Sequence, residues 1–224
     1  MTRGHWSDNF FAVVGALAAA GKTAGYWFLY WLAFLFLVGF VIGVARAEPL
    51  AARQYRNDLI REARAVWGLT APIALFAGQI EQESAWRPNV CSPYACGLTQ
   101  FTKDTAEWIA GRYGDLSSGD RFNPQWAMRA MVRYDHYLYA MVPAAAEARD
   151  RFAFVLSGYN GGLGNLRRDI AICMRTPGCD ALRWFGHVEL YSNRAAWAFK
   201  ENRGYPRVIL DRRQFTYSHW GPTV

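Results

Sequence analysis

The chain has 224 residues and a formal net charge of +7, with 52% hydrophobic, 16% aromatic and 19% charged residues. This composition excludes a disordered polar chain, because such chains have few aromatic residues and a high density of charge. The mean hydropathy is nevertheless close to zero, at -0.08, so the apolar residues must be unevenly distributed. The length suits one domain of ordinary size together with an additional segment.

The apolar residues concentrate near the N-terminus, where the 23 residues between Lys22 and Arg46 carry no formal charge. A helix of this length spans about 34 Å, and the hydrocarbon core of a bilayer is about 30 Å thick. We therefore expect a transmembrane anchor over residues 23–47, preceded by an N-terminal tail, residues 1–22, that lies at the interface. Aromatic residues typical of a membrane–water interface occupy the first turns of the anchor: Tyr26, Trp27, Tyr30 and Trp31.

Two features of this segment leave alternatives open. Ala45-Arg46-Ala47 resembles the small-residue cleavage site of a secretory signal peptide, so removal of the segment is the alternative to a permanent anchor. The positive-inside rule counts basic residues near the ends of a span, and it places the following domain in the cytoplasm. The arginines concerned are Arg46, Arg53, Arg56, Arg61 and Arg64. The disulfides and the function expected below require the opposite orientation.

Beyond residue 47 the sequence favours helices and contains no long run of alternating β-branched residues. Helices are predicted over Leu50–Val66, Ala71–Ile80, Thr102–Tyr113, Asn123–Met141 and Ala144–Leu156. Pro72 suits the first turn of the second of these helices, and Thr102 is a suitable N-cap for the third. We therefore expect residues 48–224 to form one mainly α-helical domain.

Glu83 is the candidate for acid–base chemistry, because it lies at the end of the apolar segment IALFAGQIEQES. A carboxyl group at the end of an apolar helix is partly desolvated, which raises its pKa and keeps it protonated near neutral pH. A general acid for cleavage of a glycosidic bond needs this property. Glu81 lies two positions away and points off another face, so this helix is not expected to supply a catalytic pair.

The four cysteines form two local pairs, Cys91 with Cys96 and Cys173 with Cys179, separated by five and six residues. Two short disulfide-closed loops are the simplest pairing, and they fit an oxidising compartment such as the periplasm. A zinc site built from all four cysteines is the alternative, although the spacing departs from the usual C-x₂₋₄-C pattern.

The excess of positive charge indicates an acidic partner. Residues 48–224 contain 22 basic and 17 acidic residues, and 22 of the 25 basic residues in the chain are arginine. A basic domain suits anionic lipid, nucleic acid or an acidic cell-wall polymer. No block of basic residues with interleaved aromatics is present, so nucleic acid is not expected as the partner.

The segment QESAWRPNVCSPYACGLTQFTKDTAEW, which starts at Gln82, resembles the catalytic core of the soluble lytic murein transglycosylase family. That family is related to the goose-type lysozymes. Three further elements follow in the family's order, namely Asn123-Pro124, then GYNGG from Gly158, then ENRGY from Glu201. The resemblance covers most of the domain after the anchor and implies a lysozyme-like helical fold.

The resemblance implies roles for the matched residues. Glu83 would be the single catalytic acid and base, while Ser84 would support the helix end without taking part in the chemistry. Ser92 would lie near the N-acetyl group of the glycan and polarise or orient it. Gln100 and Asn160 would donate or accept hydrogen bonds with sugar or peptide groups in the cleft.

The aromatic residues and the last motif complete the expected cleft. Tyr159 would hold Glu83 or line the subsite beside it, and Trp86 would also belong to the sugar cleft. Glu201 and Tyr205 would close the far side of the cleft. The alternative for Glu201 is an ion pair with a nearby arginine such as Arg203.

Three departures from the family pattern carry their own expectations. Thr99 replaces the usual Met, which would make an apolar lid contact polar. The loop from Ser92 to Gly97 is shorter than the common form and would be held by the first cysteine pair. Gly158 and Gly161 replace Ala, which would loosen the loop that contains them.

These motifs predict an enzyme that cleaves the β-1,4 bond between N-acetylmuramic acid and N-acetylglucosamine and forms a 1,6-anhydromuramyl product, with no metal or cofactor. The alternatives are a peptidoglycan hydrolase of the same fold and a non-catalytic wall-binding component of a virion or envelope machine. The expected partners are peptidoglycan strands, the lipid bilayer through residues 23–47, and components of a virion, lysis or secretion machine. The ending ENRGYPRVIL favours a phage origin.

Overall fold

The computed structural model describes residues 48–145 and 147–224. The N-terminal tail expected over residues 1–22 and the anchor expected over residues 23–47 lie outside the described residues. Within the described ranges, no helix combines the length and the apolar character needed to cross a membrane.

The described residues are mainly α-helical, as the sequence predicts. The helices are α1 (Leu50–Arg53), α2 (Arg56–Trp67), α3 (Ile73–Ser84), α4 (Lys103–Arg112), α5 (Pro124–Met141), α6 (Ala148–Gly161), α7 (Leu163–Met174), α8 (Ala196–Val208) and α9 (Gln214–Thr216). Two short strands, β1 (Ala95–Cys96) and β2 (Phe101–Thr102), pair antiparallel, with Ala95 opposite Thr102 and Cys96 opposite Phe101. The strands are two residues long, which is too short for alternating hydrophobicity to predict them.

Capping residues set two helix starts where the sequence predicts them. The Thr102 side chain accepts a hydrogen bond from the Thr105 backbone N–H at 3.2 Å and caps α4. Asn123 accepts hydrogen bonds from two backbone N–H groups of the first turn of α5, where Pro124 needs no N–H partner. The predicted helix over Ala144–Leu156 starts four residues later and continues to Gly161.

Helix α3 forms the centre of the core, and every residue from Ile73 to Glu81 is buried. Because the helix is surrounded by protein, it is apolar on nearly all sides. Gly78 allows the C-terminal segment to lie directly against it, since an added Cβ would sit 2.8 Å from the Gln214 backbone nitrogen. The predicted helix ended at Ile80, whereas α3 continues for one more turn and carries Glu83.

The C-terminal helical region is not predicted from the sequence. Pro206 lies inside α8, where it removes one backbone donor, and the next segment, Ile209–Arg213, is wound as a wider π-helical turn. A proline in this place normally predicts the end of a helix.

The cysteines form the two predicted local disulfides, Cys91–Cys96 and Cys173–Cys179. All four sulfur atoms are therefore bonded in pairs, so the alternative of a four-cysteine zinc site is wrong. The first disulfide holds the loop that leads into β1, and the second connects the end of α7 to the segment after it.

Candidate active site

Glu83 lies in the last turn of α3, where the chain changes direction abruptly. Ala85 and Trp86 both have positive φ angles, 50° and 65°, which non-glycine residues adopt only at an energetic cost. The Ser84 hydroxyl donates a hydrogen bond to the Leu98 carbonyl at 2.7 Å and accepts one from the Arg87 N–H at 3.2 Å. Ser84 thus supports the helix end, as expected, and these contacts fix the position of the neighbouring carboxyl group.

Trp86 does not belong to the cleft, and that expectation is wrong. Its side chain is 1% exposed and its indole N–H donates to the Tyr217 hydroxyl at 2.6 Å. Its ring also stacks on Tyr55. The left-handed turn after α3 directs the indole into the core instead of towards the cavity.

The electrostatic environment of Glu83 confirms the expected high pKa. The pKa of Glu83 is raised from its usual 4.5 to about 8. Burial, the largest cause, and the nearby charge of Glu201 raise it, whereas a hydrogen bond from Tyr205 lowers it. Desolvation is the largest of these effects, so it outweighs the stabilisation of the carboxylate by the phenol. The side chain is therefore a neutral acid at pH 7.

Tyr205, not Tyr159, holds Glu83. The Tyr205 hydroxyl donates a short hydrogen bond to Glu83 Oε1. The Tyr159 hydroxyl instead donates to the Thr99 carbonyl at 2.7 Å, because its ring packs between Phe101 and Tyr134. Tyr159 therefore fulfils only the second of the two roles expected for it, that of a cavity wall.

A cavity of about 1160 Å³ lies in front of Glu83, and its lining includes all seven residues expected to take part in catalysis or substrate binding. These are Glu83, Ser92, Gln100, Tyr159, Asn160, Glu201 and Tyr205. The cavity is larger than the roughly 300–1,000 Å³ of a typical small-molecule pocket. Among the described residues, no His, Cys, Asp and Glu side chains form a group that could hold a metal ion.

The loop before β1 and the turn between β1 and β2 supply one wall of this cavity. Ser92 is exposed, and its hydroxyl accepts hydrogen bonds from the backbone N–H groups of Tyr94 and Ala95, at 3.3 and 3.0 Å. Gln100 donates from its amide nitrogen to the carbonyls of Val90 and Gly97, at 2.9 and 2.8 Å. The Gln100 nitrogen is thus used within the loop, which leaves only its carbonyl oxygen to accept a bond from a ligand.

Helices α6 and α8 supply the opposite wall. Asn160 accepts a hydrogen bond from Asn202 at 3.0 Å and lies 3.5 Å from the Glu201 carboxylate. The alternative ion pair between Glu201 and Arg203 is not formed. Arg203 instead binds the buried carboxylate of Asp169 at 3.0 Å, because its side chain points into the protein from the other face of α8.

The departures from the family pattern act differently from what the sequence suggested. Thr99 is 1% exposed and does not line the cavity. Its hydroxyl therefore adds a polar group to the protein interior and does not alter a contact with the substrate. Gly158 and Gly161 lie in the last turns of α6, so they do not loosen a loop. Only the expectation for the loop from Ser92 to Gly97 is confirmed, since the Cys91–Cys96 disulfide holds this loop.

Two exposed aromatic side chains in the cavity lining were missed in the sequence. Tyr94 is 79% exposed and Trp197 is 69% exposed, and both face the same cavity as Glu83. Exposure of large aromatic rings costs free energy in water, so it is informative where it occurs. The only hint in the sequence was that Trp197 stands in a short AAWAFK stretch without an apolar period.

A second buried acid, Asp135 on α5, lies within electrostatic reach of Glu83. Asp135 is 0% exposed, and burial raises its pKa well above the usual range; a hydrogen bond from Gln79 lowers it and Glu83 raises it. Asp135 Oδ2 and Gln79 Oε1 are both buried acceptors without a partner. A protonated Asp135 carries no charge, so its burial costs less free energy than that of a carboxylate.

Comparison with known proteins gives relatives and a fold. The membrane-bound lytic murein transglycosylase F of Mannheimia succiniciproducens is 37% identical over 161 residues, which are 71% of this chain and 28% of that protein. The protein of the same name from Haemophilus influenzae is 34% identical over 101 residues, 45% of this chain and 18% of that protein.

A solved structure of a 70-kDa soluble lytic transglycosylase in complex with bulgecin A aligns with a TM-score of 0.51 and 25% identity. It covers 75% of this chain and 25% of its own. The 70 kDa soluble lytic transglycosylase of Escherichia coli, with the same TM-score of 0.51 and 23% identity, shares the fold.

The chain spans about a quarter of the length of the most similar of these proteins. The match to a family is independent of that difference in length, because it concerns one domain. The family described as Transglycosylase SLT domain matches residues 59–177, more than half of the chain. The chain belongs to this family.

Proposed function

We propose that the protein is a lytic transglycosylase that cleaves the β-1,4 bond between N-acetylmuramic acid and N-acetylglucosamine in peptidoglycan. The observation that carries this proposal is Glu83, a carboxyl group with a pKa of about 8 that faces a cavity of about 1160 Å³. Membership of the transglycosylase SLT domain family and relatives named lytic murein transglycosylases support the same substrate.

In this reaction the protonated Glu83 donates its proton to the leaving glycosidic oxygen. Positive charge develops at the anomeric carbon, and the N-acetyl oxygen of the same sugar stabilises it, so that no carboxylate nucleophile is required. The Glu83 carboxylate then removes the proton from the muramyl C6 hydroxyl, whose oxygen closes the 1,6-anhydro ring. The Tyr205 hydroxyl orients Glu83 throughout and stabilises it in its ionised form.

The exposed aromatic rings extend the site beyond the reacting bond. Sugar rings have an apolar face that packs on aromatic side chains, and Tyr94 and Trp197 offer such surfaces on opposite walls of the cavity. Ser92 and Asn160 would bind the N-acetyl and hydroxyl groups between these rings. These roles are part of the proposal.

A hydrolase of the same fold is the second candidate, and Glu201 is the observation that favours it. Its exposed carboxylate lines the cavity and is close enough to Glu83 to raise the pKa of that residue. Such a carboxylate could activate a water molecule in place of the muramyl C6 hydroxyl. The mass of the product separates the two reactions, because an anhydro product is lighter by one water.

Digestion of purified peptidoglycan, followed by mass analysis of the released muropeptides, tests the proposal. We expect anhydro products from the wild type and no products from Glu83→Gln, which removes the titratable proton. The matched control is Glu107→Gln, an exposed carboxylate on α4 outside the cavity, which should retain activity. Undiminished cleavage by Glu83→Gln would overturn the assignment of Glu83 as the acid. It would also exclude the non-catalytic wall-binding role, because the protein would still cleave peptidoglycan.

We further propose that residues 23–47 anchor the protein in the inner membrane, with residues 48–224 as the enzyme domain in the periplasm. The uncharged run before Arg46, the two disulfides and the name of the membrane-bound relatives support this arrangement. The test is extraction of membranes with alkaline carbonate, which should leave the full chain in the pellet, together with protease digestion of spheroplasts, which should remove the domain. Release by carbonate would indicate cleavage of the segment instead.

A further inference from the structure

Arg194 is a cation in the wall of the cavity that the proposed mechanism does not use. It lines the cavity beside Gly161 and Asn165, although its side chain is only 8% exposed. One end of the guanidinium, Nη2, binds the carboxylate of Asp169 at 2.9 Å. Nε is buried without a hydrogen-bond partner, and the other end, Nη1, makes no hydrogen bond among the described residues and lies in the cavity wall beside Gly161.

Gly161 makes this position available. A Cβ atom at residue 161 would lie 2.0 Å from Arg194 Nη1 and 2.7 Å from the Asn202 side-chain nitrogen. Such contacts are far inside van der Waals separation, so any other side chain at this position would displace the guanidinium. The absence of a side chain at Gly161 therefore allows the Arg194 guanidinium to pack against the end of α6 in the cavity wall.

The charges around Arg194 are unbalanced. Two guanidinium groups, from Arg194 and Arg203, share the single carboxylate of Asp169, at 2.9 and 3.0 Å. Asp169 also accepts a hydrogen bond from the Ser192 hydroxyl at 2.8 Å. Glu189 also acts on Arg203, but it is paired with Arg207 at 2.7 Å. Three guanidinium groups thus share two carboxylates among the described residues, and Arg194 carries the one that lines the cavity.

We propose that Arg194 binds a carboxylate of the substrate strand and so makes the enzyme prefer muramyl-containing glycans to uncharged ones. This inference rests on the proposed function. A guanidinium group donates to a carboxylate more strongly than a neutral donor does, and the partly buried setting reduces screening by water. Lys200 and Glu201 are the other charged groups on this side of the cavity, but both side chains are exposed and solvated.

Two sources in peptidoglycan carry such a carboxylate. The lactyl group of N-acetylmuramic acid is free when the peptide has been removed, and the peptide carries acids of its own when it is present. Chitooligosaccharides contain N-acetylglucosamine only and have no carboxylate, so they report on sugar binding alone.

The experiment measures binding of these three ligands to the full chain by calorimetry, in a Glu83→Gln background that prevents turnover. Arg194→Gln removes the charge, and Gly161→Ala keeps the charge but displaces the guanidinium. We expect each change to weaken binding of carboxylate-bearing strands by about tenfold, the usual effect of one charged hydrogen bond, and to leave chitooligosaccharide binding unchanged. The matched control is Arg167→Gln, an exposed arginine on α7 outside the cavity.

The ligand that loses affinity identifies the carboxylate. Weaker binding of strands stripped of peptide assigns the lactyl group, and weaker binding of peptide-bearing strands alone assigns the peptide. Equal losses for all three ligands, or unchanged binding while the Glu83→Gln parent binds normally, would overturn the inference and leave the proposed function standing. A parent that binds none of the three ligands would instead contradict the proposed function.

Discussion

At the level of single residues, the acidity of Glu83 is set by opposing neighbours. Burial, the largest effect, and the charge of Glu201 raise its pKa, whereas the hydrogen bond from Tyr205 lowers it. A general acid must be protonated when the substrate arrives, so activity should fall as the pH rises through about 8. Substitutions of Tyr205 and Glu201 should therefore shift the alkaline limit of activity in opposite directions.

Tyr205→Phe should shift the alkaline limit of activity to higher pH. The phenol stabilises the carboxylate, so its loss raises the pKa of Glu83, by about one unit for a hydrogen bond to a charged group. The activity at pH 6 should also fall, because Glu83 loses the group that orients it. The measurement is the pH dependence of kcat/KM on purified peptidoglycan, and an unmoved alkaline limit would contradict the assigned role of Tyr205.

Glu201→Gln should move the same limit in the other direction. Removal of its negative charge makes ionisation of Glu83 easier, so the pKa falls and the activity is lost at a lower pH than in the wild type. The effect should be smaller than that of Tyr205→Phe, since Glu201 is exposed and its charge is screened by water. A complete loss of activity at every pH would favour the hydrolase, in which Glu201 would take part in the chemistry.

At the level of elements, the site depends on where helices and strands end. Glu83 faces the cavity because α3 stops at Ser84 in a left-handed turn, and the loop before β1 adds Ser92 and Tyr94 to the lining of the same cavity. Residues far apart in the chain meet here, as the Tyr205–Glu83 hydrogen bond shows.

The sequence predicts those parts of the structure that depend on local patterns. The cap at Thr102, the start of α5 and the local disulfides follow from neighbouring residues, and the seven residues that share the cavity follow from the family motifs. The inward direction of Trp86 depends on a backbone turn without glycine, and the choice of Tyr205 over Tyr159 depends on how α6 and α8 pack. Neither property has a local pattern, so neither could be predicted.

The Cys91–Cys96 disulfide should matter for substrate binding more than for folding. It closes a loop of few residues, so its contribution to the free energy of unfolding is about 2 kcal/mol in the chain-entropy account. Replacing both cysteines by serine should raise KM for peptidoglycan by loosening the wall that carries Ser92 and Tyr94. The comparison is the Cys173/Cys179 double serine variant, which removes a disulfide that closes a loop of similar length outside the cavity. The two variants should lose similar stability, and only the first should change KM; equal KM values would contradict a role for the hairpin.

At the scale of the whole molecule, the active site is assembled at a cost in stability. The helix that carries Glu83 is the centre of the core, and its last turn directs a carboxyl group into a poorly solvated place. The unfolded chain would ionise this group near its usual pKa of 4.5, whereas the folded chain keeps the proton up to about pH 8. Between these two values the folded protein binds more protons than the unfolded chain, so its stability falls as the pH rises.

Glu83→Gln should therefore stabilise the protein, and the gain should depend on pH. Below about pH 4.5 the carboxyl is neutral in both states, so the ionisation cost is absent and the variant gains nothing from its removal. The gain should grow through the window and level off above about pH 8, at about 1–3 kcal/mol, a range that allows for screening by water at the half-buried side chain. Denaturant unfolding of both proteins at pH 4, 6 and 8.5 measures it, with Glu107→Gln as the exposed control that should show no such trend. A difference in stability that is the same at every pH would mean that the substitution acts through packing, and that the carboxyl of Glu83 is not held as a neutral acid by the fold.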